Sequence, residues 1–148
     1  MMKSNIKTLL AVLATVALAA CASVQNVMPD WMPGSGATKV NLTGAEEVPP
    51  VSTSGSGSGA FRVAADGTIT GSVTTQGVPG TMAHIHTGAR GRNGPVTVPL
   101  TKNGDTYSVP ADRKLTSEQM NAYKAGEMYV NVHSNQHKGG EVRAQIQP

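Results

Sequence analysis

The chain is poor in the residues that carry most familiar chemistries. A single cysteine among 148 residues cannot close a disulfide within the chain and excludes a CxxC zinc site. One Phe, one Trp and three Tyr are too few for a platform on which bases stack. No Gly-Lys-Ser/Thr loop is present to cradle phosphate. Ser134, close to His137, lacks a positioned acid and a nucleophile elbow, so it does not read as a hydrolase serine. Glu46 and Glu47 are adjacent and would point to opposite faces of an extended chain, which suits a structural role better than paired acid–base catalysis. Charged residues make up only 14%, too few for a disordered acidic chain or a charged helical bundle. The length fits one ordinary domain.

What is present begins with an address. Lys3 and Lys7 precede the apolar run Leu9 to Ala20, which is too short to span a bilayer comfortably. The run ends Leu18-Ala19-Ala20-Cys21, which resembles the bacterial lipobox: cleavage before Cys21, then lipidation of its thiol. The alternative is an ordinary secretory signal with a coincidental cysteine. Acyl chains would anchor the protein at about 0.8 kcal/mol per buried methylene. Ala22, where Asp would favour retention, resembles lipoproteins sorted to the outer membrane. Residues 1–20 are thus expected as signal peptide and residues 21–37 as lipidated cysteine and tether, with Pro29, Pro33, Gly34 and Gly36 spacing the domain from the lipid. The expected location is the bacterial envelope, facing the periplasm. Loss of Lys3 and Lys7, with no acid removed, lowers the net charge from +3 to +1, and a nucleic-acid partner loses its electrostatic support.

From Thr38 to residue 148 the pattern is short and two-periodic. Strands are expected at 39–43, 60–64, 68–73, 81–87, 96–100, 106–109, 127–133 and 141–146. Asp66-Gly67 is a favoured hairpin turn, and Asn93-Gly94 and Asn103-Gly104 punctuate further on. This predicts an all-β antiparallel fold, a sandwich or Greek-key barrel. One short crossover helix interrupts it: Thr116 with Gln119 forms a capping box, and Gly126 is a stop. Ser52 to Gly59 is expected as a loose loop within the domain.

All four histidines fall late in the domain. In Met82-Ala83-His84-Ile85-His86, alternation puts His84 and His86 on one face, about 6.5–7 Å apart. In Met128 to His133 the residues Met128, Val130 and Val132 must face the core, so His133 faces outward. The same rule sends Glu141 and Arg143 outward from the last strand. If these strands are neighbours, three imidazoles converge on the outer surface, and His137 in the following turn is placed to swing back as a fourth ligand. A lone His-X-His pair is ordinarily just solvated; a third histidine of matching parity points to a metal. Imidazole suits copper, with zinc as second choice, and the lack of a nearby Asp argues against calcium or magnesium. Met128 should point inward, while Met82 is open to either packing or coordination. The loop Thr87 to Gly94 carries Arg90 and Arg92. Arg143, and more weakly Arg90, would draw a small anion to the metal, with Glu141 supporting the site from behind.

Several segments resemble the CHRD domain, first named for chordin: Leu42-Thr-Gly-Ala-Glu-Glu-Val-Pro-Pro-Val51, Ala83-His-Ile-His-Thr-Gly88 with Gly91-Arg-Asn-Gly-Pro95, Tyr129-Val-Asn-Val-His-Ser134, and Gly140-Glu-Val-Arg-Ala-Gln145. The resemblance implies an immunoglobulin-like or superoxide-dismutase-like sandwich over about residues 40–147. The His-X-His strand with a later strand histidine is also similar to the copper half of copper/zinc superoxide dismutases. That likeness carries over His84, His86 and His133, and His137 less directly. A zinc cluster and an intramolecular disulfide are missing, so a copper-only site is what the likeness implies.

Three readings follow. The first is a copper enzyme acting on superoxide, the second a non-catalytic copper buffering or delivery protein, the third a CHRD interaction module without metal chemistry. A homodimer is left open, and the membrane is reached through the lipid anchor alone.

Overall fold

The structure is a computed structural model that describes residues 36–148. The expected signal peptide, Cys21 and the tether up to residue 35 lie outside the described residues. Among the described residues nine strands form one antiparallel sheet: β1 Thr38–Thr43, β2 Ser56–Val63, β3 Ile69–Gln76, β4 Gly80–Thr87, β5 Val96–Pro99, β6 Thr101–Asn103, β7 Thr106–Ser108, β8 Met128–Ser134 and β9 Val142–Ile146. They are hydrogen-bonded in the order β5-β4-β8-β9-β1-β2-β3-β7-β6. The two ends of that order, β5 and β6, are joined by the single residue Leu100, whose N–H donates to the carbonyl of Ala83 on β4. The sheet therefore curls until its edges meet at one bent segment, which leaves few unpaired strand groups exposed.

The interior is what the alternation demands. Val40 and Leu42, Val73, Ala83 and Ile85, Val130 and Val132, and Val142, Ala144 and Ile146 all lie in one buried cluster with Phe61 and Tyr107. The all-β antiparallel expectation holds, and among the described residues so does the single α-helix, α1 Ser117–Lys124. Thr116 accepts from the Gln119 N–H while the Gln119 side chain accepts from the Thr116 N–H, a complete capping box. Tyr123 and Leu115 plug the helix into the core.

Two expectations are corrected. Ser56 to Gly59 is not a loop but the first half of β2, paired with both β1 and β3. Gly and Ser have low strand propensity; here small residues let neighbouring strands close in, because a side chain at Gly59 would strike the Ser72 carbonyl. A ninth strand, β6, was not marked by any apolar residue, since Thr101, Lys102 and Asn103 are all exposed.

Ile85 sits fully buried between His84 and His86, so it anchors β4 to the core. Ile85→Ala is expected to cost about 2–5 kcal/mol in a denaturant titration, with an unchanged m-value.

Candidate metal centre

Strands β4 and β8 pair antiparallel, with Met82 opposite His133, His84 opposite Asn131 and His86 opposite Tyr129. Ala83 and Ile85 on one strand and Val130 and Val132 on the other are committed to the core. The intervening residues must therefore share the outer face. That places three imidazoles together. Ring centroids are 4.9 Å apart for His84–His133, 5.6 Å for His84–His86 and 6.2 Å for His86–His133. One nitrogen from each ring lies within 4.8 Å of the other two. Nitrogens held at about 2.0–2.1 Å from one ion are at most about 4.2 Å apart, so the rings must draw closer together to share one.

Backbone carbonyls set the tautomers. His86 Nδ1 lies 3.0 Å from the Gly94 carbonyl and His133 Nδ1 lies 2.9 Å from the Lys138 carbonyl. A carbonyl only accepts, so each Nδ1 carries the proton and each Nε2 keeps its lone pair. His86 Nε2 is buried and has no hydrogen-bond partner. His133 Nε2 faces His84 Nδ1 at 3.0 Å, so a proton on the His84 nitrogen occupies the line between two prospective ligands. Burial lowers the pKa of all three rings; neighbouring imidazoles add to this for His84 and His86, as does Arg143 for His86, while the carbonyl bonds of His86 and His133 and the Asn131 side chain beside His86 oppose it. The rings are kept neutral, the form that ligates a cation.

Gly94 holds its carbonyl against His86 because it passes so close to the Thr87 carbonyl that no side chain fits there. Its N–H donates to the Tyr129 hydroxyl at 3.2 Å. The Tyr129 ring stacks on His86 at 4.8 Å and 4°, and the Arg143 guanidinium sits 3.4 Å from the same ring's centre. Such a contact contributes about 2 kcal/mol or more when desolvated.

Arg143 faces the side that parity assigned to it, but it does not meet solvent: it is 1% exposed. Its guanidinium donates to Asn93 Oδ1 and to the carbonyls of Ala89 and Arg92. The 88–94 loop folds over the outer face and turns the expected steering charge into its own clamp. Arg90 is exposed and ion-paired with Glu46, so its charge is largely spent locally. Glu141 is buried and accepts from Thr53 Oγ1 at 2.8 Å. It holds the 53–55 turn, and no bond links it to the imidazoles. His137 stands outside the trio; its carbonyl accepts from the Ser134 and Gly140 N–H groups and closes the turn after β8.

Glu47 is the residue that sequence reasoning underrated. It is 4% exposed, and burial pushes its carboxyl up to about 7 despite the opposing pull of Arg143 and Asn131. Gly140, with φ +129, lies against it; a side chain there would collide with Glu47 Oε1 and Asn131 Nδ2. Tyr129 and Asn131 share the parity of His133 within β8, so that strand alone pointed to them. Glu47 gave no such signal, because the short 3-10 turn Gly44–Glu46, not a strand, aims it.

The fold and this cluster together define an antiparallel β domain with a three-histidine group on its outer face. The CHRD domain model matches residues 38–146, and the chain belongs to that family. No curated protein and no solved structure matches the chain.

Two outcomes are expected here. Arg143→Lys loses the planar fork and should speed amide hydrogen exchange across 88–94 while β1–β3 exchange stays unchanged. The pH dependence has two opposing parts. The imidazoles titrate near 6.5 when unfolded and lower when folded, so stability is full above 6.5 and falls on acidification. Glu47 runs the other way: its contribution is full below 4.5 and is lost as pH rises through about 7. Glu47→Gln removes only that opposing slope, so thermal unfolding followed from pH 7 to 5 should show a steeper acid loss than in the parent.

Proposed function

We propose that the protein binds one copper ion through His84, His86 and His133 as an envelope protein anchored at Cys21. The observation that carries this is the set of three imidazoles, one nitrogen from each within 4.8 Å of the others, with the buried His86 Nε2 left unpartnered. Leaving such an atom unmatched costs about 1–3 kcal/mol, which a bound cation would recover. An all-imidazole set suits copper, with zinc as the second metal. The Gly94 and Lys138 carbonyls fix two ligands in orientation before any ion arrives, which raises affinity without ordering cost.

Holding or passing on the metal fits this site better than dismutation, because neither arginine offers a free steering charge: Arg143 is buried and Arg90 is paired. Dismutation is the second reading, favoured by the half-buried position of His84 at the solvent edge. Bound copper would supply one-electron redox chemistry towards superoxide, with His84, His86 and His133 as the residues that would hold it. His84 would face the approaching anion, and His86 and His133 would hold the centre from beneath. The lipobox-like run supports the envelope location, where a tethered copper site meets incoming metal.

The protein titrated with Cu(II) should bind one equivalent, and His84→Ala or His133→Ala should each abolish it. Unchanged stoichiometry in both variants would overturn the reading. Superoxide loss by the copper-loaded protein separates the enzyme from the carrier, which would show none.

A further inference from the structure

We infer that Met82 is a fourth ligand, a thioether that closes the three-histidine site and biases it towards Cu(I). This rests on the copper reading of the trio and extends it by a residue and an oxidation state.

Met82 is directly opposite His133 across the β4–β8 ladder and two residues from His84 on the same strand, so all three share the outer face. The irregularity between Gly80 and Met82 resets the register just before this pair. Directly opposed residues hold their Cβ atoms about 4.5–5.5 Å apart. Rotation about two side-chain bonds then carries a methionine sulfur over its neighbour without any backbone change. Core packing does not account for the residue, because Met82 is 51% exposed and lies outside the buried cluster. Met128, on the inner face of the partner strand, is 1% exposed and does pack. The two methionines thus divide as parity dictates, and only one stands beside the imidazoles.

The position matches what the trio lacks. His86 and His133 are buried and approach from beneath, while the solvent side is bordered by His84 and Met82. A soft, uncharged sulfur there suits Cu(I), which accepts thioether ligands that Zn(II) and Cu(II) take less readily. Three imidazoles and one thioether would give a four-ligand centre suited to keeping the reduced ion.

Met82→Leu conserves volume at a half-exposed site and should leave the fold intact. In competition with a coloured Cu(I) chelator, this variant of the whole chain should lose Cu(I) affinity by about tenfold, while Cu(II) affinity stays within about twofold. X-ray absorption of the Cu(I) form should show a sulfur neighbour in the parent and none in the variant. Equal Cu(I) affinity in Met82→Leu and parent, with His133→Ala abolishing binding, would sink the thioether and leave the trio standing. Copper binding that survives His133→Ala would remove the trio itself, and the fourth ligand with it.

Discussion

The site depends on the register between β4 and β8. Ala83, Ile85, Val130 and Val132 are all committed to the interior, and side chains alternate strictly along a strand. Sliding one strand by a single residue would drive His84 and His86 into the core and push Ile85 into water. Burying two imidazoles without partners and exposing an isoleucine would each cost on the order of a few kcal/mol. The apolar core therefore holds the imidazoles in place from the opposite face of the same sheet.

A second layer turns a solvated face into a partly desolvated one. Loop 88–94 lies across the outer surface, bound by His86, Tyr129, Arg143 and Gln145. Arg143 would be costly to bury alone; three acceptors on the loop and the face of Tyr129 make its burial tolerable. Asn93 also donates to the Val48 carbonyl, which ties the loop to the segment that carries Glu47. Without this cover the histidines would be an ordinary hydrated trio with ordinary pKa values. With it, desolvation disfavours the imidazolium form of all three rings.

Parity was legible in the sequence because it is local: each strand announces its inner residues, and the outer ones follow. The inward Val142, Ala144 and Ile146, the outward His84, His86 and His133, and the helix from Thr116 all follow from spacing within a few residues. Burial of the outer face was not legible, because it comes from a loop and a 3-10 turn that reach it from residues 44–53 and 88–94. Arg143 shows the difference: alternation chose its side of the sheet, but only tertiary contact decided that this side is dry. His137 marks the same limit, since it lies four residues beyond His133 in sequence yet the turn after β8 leaves it outside the trio. Ser56 to Gly59 reads as loose loop by composition and becomes strand because two neighbours need a thin partner between them.

The segments that carry the resemblance to the CHRD family are scattered along the chain, yet they meet on one surface. The 42–51 stretch contributes Glu47 and the Val48 carbonyl, 83–88 two histidines, and 91–95 the loop that covers them. The 129–134 segment adds Tyr129, Asn131 and His133, and 140–145 adds the clamp Arg143 with Gln145. A generic β domain needs apolar residues at alternate positions and turn residues between strands, and many side chains satisfy that requirement. It does not need a tyrosine held between an imidazole and a guanidinium, or glycines at 94 and 140 where any side chain would strike a neighbour. These demands are specific, and they serve the outer face rather than the core. What distinguishes this chain from any other closed antiparallel sheet is thus the construction around its three imidazoles, with the barrel acting as the frame that holds it.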